Sequence, residues 1–147
     1  MKLHSDFNAA LNTVTAYGDG YIEVNQQRYE GTVSFGPEGS IESLTASSVA
    51  DLTSDMLLRV AGITAVARDP FAELDDVPPA QRPAPAGGTE VLLVGTGRQQ
   101  RFLRPEVTSP LVMAGVGVEA MDTQAAARTY NILMAEGRRV VALLMPA

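Results

Sequence analysis

The feature that most constrains the fold is a regular alternation of apolar runs and helical patterns in the last sixty residues. Residues 91–94 are a short continuous apolar run, typical of a strand covered on both faces, and residues 116–121 and 140–145 are two further strand patterns. Residues 105–114 and 123–136 lie between them and have the pattern of helices. A strand–helix–strand–helix–strand order favours right-handed crossovers between parallel strands. The sequence therefore predicts an α/β fold with a parallel βαβαβ unit in its C-terminal half.

The two helices of this unit differ in how clearly the sequence defines them. Asp122 is a good N-cap for the second helix, and Gly137 suits the left-handed residue that closes it. The helical period predicts a buried stripe of Ala125, Ala126, Thr129, Ile132 and Leu133. The same period places Arg128 and Asn131 on the outward side of the helix, so both are candidate surface residues. In the first helix Pro110 leaves two alternatives open, a continuous helix or a restart at residues 109–110.

The N-terminal third shows the two-residue period of strands. Residues 21–24 and 28–35 alternate between apolar and polar side chains, and residues 25–27 between them suit a short hairpin loop. Residues 41–45 form a further short strand pattern. We therefore expect an antiparallel β layer here, followed by a helix that begins at Thr53.

Composition changes abruptly between residues 69 and 88. Prolines, acidic residues and glycines replace the apolar pattern, which predicts an extended, mobile loop. A lid over a site and an inert insertion both remain open as roles for this loop.

Composition and charge also narrow the classes of function. The 147-residue chain has no cysteine, so it forms no disulfide, thiolate metal site or cysteine nucleophile. Its net charge of −6 argues against binding to nucleic acid or to an anionic membrane surface. No apolar run approaches the roughly 20 residues of a membrane span, and the N-terminus carries no recognisable address. We expect one cytoplasmic domain over residues 1–147.

Catalytic constellations are scarce in this sequence. The single histidine, His4, lies in a terminal segment, which argues against a Ser-His-Asp triad. No group of His, Asp and Glu has the spacing of metal ligands, and no motif calls for a cofactor. We therefore predict no catalytic residue, no metal and no cofactor, although carboxylate chemistry by Asp122 and Glu119 stays open.

The best candidate site lies where the predicted parallel strands end. Gly95-Thr96-Gly97 follows the first strand directly, and Asp122-Thr123 follows the second. Ligands of open α/β sheets bind at the carboxyl ends of strands, and a glycine turn lets backbone N–H groups approach an anion. The candidate ligand-binding residues are Gly95, Thr96, Gly97, Arg98, Asp122 and Thr123. Two structural roles compete with ligand contact, namely a plain tight turn for residues 95–97 and a helix cap for Asp122.

Several C-terminal motifs together resemble a known family. They are the run VLLVGTG at residues 91–97, GVEAMDT at 117–123, RTYN at 128–131 and EGR at 136–138. This set resembles the Mth938-like domain family of unknown function, whose eukaryotic members include a mitochondrial complex I assembly factor. The resemblance implies a three-layer α/β domain with a central mixed, mostly parallel sheet, and it implies no established catalytic activity.

Three functional hypotheses follow from these observations. The first is a non-catalytic interaction or assembly-type module with a protein partner, since catalytic groups are scarce and the resemblance points the same way. The second is binding of a small anionic ligand at the glycine turn, assisted by Arg98. An enzyme of unknown reaction is the third. An exposed apolar patch beside the rim formed by residues 95–97 and 122–123 would favour the first hypothesis.

Overall fold

The computed structural model describes residues 11–63 and 88–147. These residues contain strands, α-helices and one 3₁₀ turn, Val49–Asp51. The strands are β1 Val14–Gly18, β2 Tyr21–Val24, β3 Gln27–Tyr29, β4 Thr32–Phe35, β5 Glu42–Leu44, β6 Val91–Gly95, β7 Gly117–Met121 and β8 Val140–Leu144. The helices are α1 Ser54–Val60, α2 Pro105–Met113 and α3 Thr123–Ala135. The βαβαβ order of the C-terminal half is confirmed.

A mixed five-stranded sheet forms the centre of the fold, in the order β5-β4-β8-β6-β7. β6 pairs in parallel with β7 on one side and with β8 on the other. β4 runs antiparallel to β8, and β5 runs antiparallel to β4. The parallel core of this sheet comes from the predicted C-terminal unit, while its antiparallel extension comes from the N-terminal third.

A separate antiparallel sheet, β1-β2-β3, makes the predicted N-terminal layer. β2 and β3 are joined by a two-residue turn in which Asn25 and Gln26 both have positive φ, 54° and 67°. That geometry matches the right-handed twist of a hairpin. The layer is confirmed, but β1 was not predicted from the sequence. The strand predicted at 41–45 belongs to the central sheet as β5, because it pairs with β4. The predicted strand at 28–35 is also wrong as a single element, because it is divided between β3 in this sheet and β4 in the central sheet.

The central sheet is covered on both faces, which explains the continuous apolar runs of β6 and β8. On one face Leu93 and Leu144 pack with α3 and the small sheet. On the other face Leu92 and Leu143 pack with α1 and α2. Alternate residues of one strand therefore enter different clusters, as expected for strands buried on both sides. The arrangement is the three-layer α/β fold that the resemblance implies.

Helix α2 continues through Pro110. A proline inside a helix leaves the carbonyl four residues earlier without its usual N–H partner, here the carbonyl of Glu106. The hydroxyl of Ser54, at the start of α1, donates to this carbonyl at 3.0 Å and to that of Val107 at 3.0 Å. Packing of α1 against α2 thus replaces the bond that Pro110 removes, and the alternative of a restarted helix is wrong.

Helix α3 has the predicted ends but a different buried stripe. The Asp122 carboxylate accepts the Ala125 N–H at 2.9 Å, and Gly137 has φ of 79°. The buried residues are Thr123, Ala126, Ala127, Tyr130 and Met134. The prediction for Ile132 is wrong, since its side chain is 59% exposed. The helix is rotated because its core face fills the gap between the central sheet and the small sheet, where Tyr130 meets Phe35 edge to face at 4.9 Å.

Asn131 does not face outward as the stripe prediction required. Its side-chain oxygen accepts the Val14 N–H at 2.9 Å, and its amide donates to the Val14 carbonyl at 2.8 Å. β1 is an edge strand of the small sheet, and Asn131 satisfies backbone groups that a neighbouring strand would otherwise take. The side chain therefore fastens the small sheet to α3.

The predicted loop at 69–88 lies outside the described residues except for Gly88. Among residues 11–63 and 88–147 there is no helix with the length and apolar character of a membrane span.

Candidate functional site

The two predicted turns lie side by side at the carboxyl ends of β6 and β7. The Thr96 N–H donates to the Met121 carbonyl at 2.9 Å, and the Thr123 N–H donates to the Gly97 carbonyl at 2.9 Å. These bonds continue the β6–β7 ladder beyond the strands themselves. The structure thus brings residues 95–97 and 122–123 together on one rim, as the sequence predicts.

The Thr123 hydroxyl joins this rim to the end of β8. It accepts the Gly97 N–H at 2.8 Å and donates to the Met145 carbonyl at 2.6 Å, and the residue is fully buried. The Met145 N–H in turn donates to the Gly95 carbonyl at 3.0 Å. One buried hydroxyl therefore connects the ends of the three parallel strands.

Glycine at position 95 is required by this close packing. A Cβ there would lie 2.9 Å from the Thr123 hydroxyl oxygen and 3.0 Å from the Thr123 Cα. Gly97 has φ of 101°, a conformation that side-chain-bearing residues rarely adopt. The two glycines allow α3 to begin directly against the end of β6.

Most of the polar groups that made this turn a ligand candidate have partners within the rim. The N–H groups of Thr96, Gly97 and Thr123 are each bonded to the chain. The Thr96 hydroxyl donates toward the Gln99 carbonyl at 2.7 Å and accepts the Arg101 N–H at 3.1 Å. A ligand at this turn would have to replace these bonds. Ligand contact by residues 95–97 and 122–123 stays a prediction.

The loop at 98–104, which follows the turn, carries three arginines on its surface. Arg98 lies 4.0 Å from Asp19 in the β1–β2 turn, and both side chains are largely exposed. Arg104 makes a similar 4.0 Å pair with Glu106. Such exposed pairs contribute little to stability. The loop itself holds three arginines and no acidic residue, although the whole chain is acidic.

Arg128 lies on the exposed side of α3 that faces β1. Its guanidinium donates to the Tyr17 hydroxyl at 3.0 Å, and this bond is the main reason that the pKa of Arg128 rises above its ordinary value. Asp122 adds to the same shift through its charge. Arg128 is thus a surface residue, and it also links α3 to the small sheet.

Among the described residues Phe102 is the most exposed large apolar side chain, and it was not predicted as a functional residue from the sequence. It is 85% exposed in the loop between β6 and α2. On one side it borders a groove of about 710 Å³, which we call the Phe102 groove. This groove is lined by residues 48–50, 100–104 and 107. A lone phenylalanine between arginines, at the end of a parallel strand, was the signal that the sequence offered.

The Phe102 groove combines an apolar wall with a cationic rim. Val49, Leu103 and Val107 supply aliphatic surface, while Arg101 and Arg104 supply charge. Among the described residues, the lining holds no acidic side chain. The composition suits contact with an apolar side chain that has acidic neighbours. Within the described ranges no group of three or more His, Asp and Glu side chains is placed to hold a metal ion.

Comparison with known proteins identifies the family. The sequence pattern of the family described as "Protein of unknown function (DUF498/DUF598)" matches residues 14–145. A solution structure of an Mth938-like domain from Bordetella pertussis is 60% identical, with a TM-score of 0.73, over 93% of this chain and 87% of that chain. A crystal structure of a Bordetella parapertussis protein is 54% identical, with a TM-score of 0.75, over 94% of this chain and 98% of that chain.

Two curated relatives match over shorter stretches. An uncharacterised protein of Rhodobacter capsulatus is 42% identical over 57% of this chain and 66% of its own length. NADH dehydrogenase (ubiquinone) 1 alpha subcomplex assembly factor 3 of Mus musculus is 40% identical over 39% of this chain and 31% of its own length. The chain thus spans less than two thirds of these curated relatives. The match over residues 14–145 and the structural likeness show that the chain belongs to the DUF498/DUF598 family and has an Mth938-like fold.

Proposed function

We propose that this protein is a non-catalytic interaction module that docks a protein partner in the Phe102 groove. The observation that carries the proposal is the 85% exposure of Phe102 beside an apolar groove. Exposing a phenylalanine to water is unfavourable by roughly 1.5–3 kcal/mol relative to burying it. Because Phe102 adjoins the aliphatic wall of the groove, it is part of a contiguous apolar surface, and such surfaces mark sites that a partner covers.

The residue types of the groove support a protein partner. Aromatic and arginine side chains are enriched among the residues that dominate binding energy at protein interfaces, and Phe102 lies between Arg101 and Arg104. The cationic rim favours a partner segment with an apolar anchor and acidic neighbours, since opposite charges steer association. Such steering is screened by salt, so the proposal predicts weaker capture at high ionic strength.

The named relatives support an assembly role of the same kind. The mouse relative is named as an assembly factor of NADH dehydrogenase, and its match to this chain falls on 57 residues. We extend only the class of activity to this protein, which is holding another protein during assembly. A cytoplasmic site of action is part of the proposal, and cell fractionation tests it.

Affinity capture from the native cell extract tests the proposal with a matched control. The baits are the wild-type chain, Phe102→Ala, the double variant Arg101→Glu/Arg104→Glu, and Met113→Ala. Met113 is also exposed, at 58%, but it is absent from the groove lining. We expect one partner to bind the wild type and Met113→Ala, and to be lost from the other two baits. Equal capture by all four baits, or turnover of substrates by the purified protein that Asp122→Ala abolishes, overturns the proposal.

A small anionic ligand near Arg98 and Arg101 is the second candidate. The exposed guanidinium groups beside the turn at 95–97 support it, because arginine suits forked recognition of carboxylate or phosphate. Thermal-shift measurements with nucleotides and carboxylates test this candidate. It fails if none of these compounds raises the melting temperature, or if Arg98→Ala and Thr96→Val leave a real shift unchanged.

A further inference from the structure

β7 forms one edge of the central sheet, and its outer side has no neighbouring strand within the described part of the chain. The Gly117 N–H donates to Glu90, and the Met121 carbonyl accepts from Thr96. In a parallel sheet the backbone N–H and C=O of successive residues point alternately to the two sides of the strand. The backbone groups of residues 117, 119 and 121 therefore point toward β6, and those of Val118 and Ala120 point outward. The Ala120 carbonyl is bonded by the Gln100 side chain at 3.0 Å. Val118 is therefore the centre of the open edge.

Helix α2, on one face of the sheet, presents an exposed aliphatic side chain toward this edge. Thr108 lines a groove with Val118, and Val112, which is 59% exposed, lies one turn farther along the same side of α2. On the other face of the sheet, α3 borders the edge through Thr129, which contacts Met121. We call this open side of the three layers the β7 side.

We propose that the β7 side binds a second copy of this chain, joining the two central sheets into one continuous sheet. Five strand residues span about 17 Å, and a sheet with a helix on each face is about 30 Å high. A single added strand would cover only about a third of that height and would leave Val112 in water. A second copy presents the same three layers, so sheet meets sheet and helix meets helix.

The strand sequence favours one register of self-pairing. A two-fold axis through Val118 lets the two Val118 residues exchange both backbone hydrogen bonds across an antiparallel pair. In this register each Glu119 lies opposite Gly117 of the other copy, which has no side chain. A register centred on Glu119 would instead place two carboxylates directly opposite each other, which is unfavourable. The glycine at 117 thus removes the charge conflict from the Val118 register.

The size of the β7 side agrees with a weak, reversible dimer. The strand length of about 17 Å and the height of about 30 Å give a projected area of about 500 Å². Because side chains make the surface uneven, its accessible area is larger and approaches the roughly 800 Å² per partner of specific interfaces. An interface near the lower limit of the specific class needs high protein concentration to form. We expect sedimentation equilibrium to give the 15.6 kDa mass of one chain when dilute, rising toward twice that mass by about 100 µM.

Adjacent residues on α2 provide a matched pair of variants. Val112→Arg places a charge in the proposed interface and should weaken dimerisation by about tenfold or more. Met113→Arg changes a neighbouring side chain of nearly equal exposure on another side of the helix and should leave the dimer intact. If the wild type keeps the mass of one chain at every concentration, the proposal is overturned. This holds even if an extended peptide from another protein binds the β7 edge. An equal loss of the dimer in both variants overturns it as well.

Charge at position 117 tests the register itself. A Cβ at Gly117 makes only ordinary contacts, the nearest at 3.7 Å, so the folded monomer accepts a side chain there. Gly117→Glu puts two pairs of like charges across the interface and should weaken the dimer, whereas Gly117→Lys puts two opposite-charge pairs there and should strengthen it. Each pair contributes modestly, so we expect about a tenfold difference in Kd between the two variants. Equal Kd values, with both variants folded, overturn the Val118 register.

Discussion

The replacement Thr123→Val removes one oxygen from the rim and changes little else. Valine has nearly the shape of threonine, so the packing of this fully buried side chain is retained while the hydroxyl is lost. Two buried groups then lose their partner, the Gly97 N–H and the Met145 carbonyl. We expect the ends of β6, β8 and α3 to be less firmly joined.

The magnitude follows from those two unpaired groups. A buried donor or acceptor left without a partner costs roughly 1–3 kcal/mol, so the variant should lose about 2–5 kcal/mol of unfolding free energy. In a domain of this size that loss lowers Tm by roughly 5–15 °C. Urea unfolding followed by far-UV circular dichroism measures the free energy, and calorimetry measures Tm.

Thr123→Ser is the matched control for this variant. Serine keeps the hydroxyl and its two bonds but loses a methyl group, which should cost only about 1 kcal/mol. Two results would refute the reasoning. One is a stability of Thr123→Val within about 0.5 kcal/mol of the wild type, and the other is a serine variant as unstable as the valine variant.

Three further predictions concern other parts of the fold. Ser54→Ala leaves the carbonyl that Pro110 frees without its donor, and urea unfolding should show a loss of about 0.5–1.5 kcal/mol, since this bond is exposed. The Arg139 N–H, helped by the charge of Arg138, lowers the pKa of Glu90. Wild type should therefore be more stable than Glu90→Gln at pH 7, and this difference should shrink as pH falls below the ordinary value of 4.5. Burial raises the pKa of Tyr130, so stability is lost as pH rises above 10.0, and alkaline titration should show a smaller loss for Tyr130→Phe.

The sequence predicted the C-terminal half well because several local signals agreed there. The apolar run at β6, the Asp122 cap and the left-handed Gly137 each define an element without help from distant residues. Their combination also placed the turns at 95–97 and 122–123 on one rim, since the carboxyl ends of adjacent parallel strands share an edge.

The missed features depend on contacts between distant parts of the chain. The division of residues 28–35 between two sheets is set by which strands they meet, and their two-residue period is the same in either case. The stripe of α3 is rotated by the small sheet, which covers a side that the helical pattern alone leaves to solvent. The partners of Asn131 are 117 positions away in sequence.

The sequence predicted where the candidate site lies, but it did not predict how the hydrogen-bonding groups of the site are paired. A Gly-Thr-Gly turn offers N–H groups to an anion only if the fold leaves them without partners, and here Thr123 and Met121 take two of them. The sequence does not show that competition. It also does not distinguish Phe102, which is exposed, from Leu103, which is partly buried against the core.

Site-specific photo-cross-linking in the native cell tests most directly the claim that the Phe102 groove docks a partner protein. A benzoylphenylalanine at position 102 keeps an aromatic ring in place, and the same probe at position 113 samples another exposed site, outside the groove. We predict a discrete cross-linked product with a different protein from position 102 and none from position 113. If position 102 gives no product with another protein, or if position 113 gives the same product, the account is contradicted.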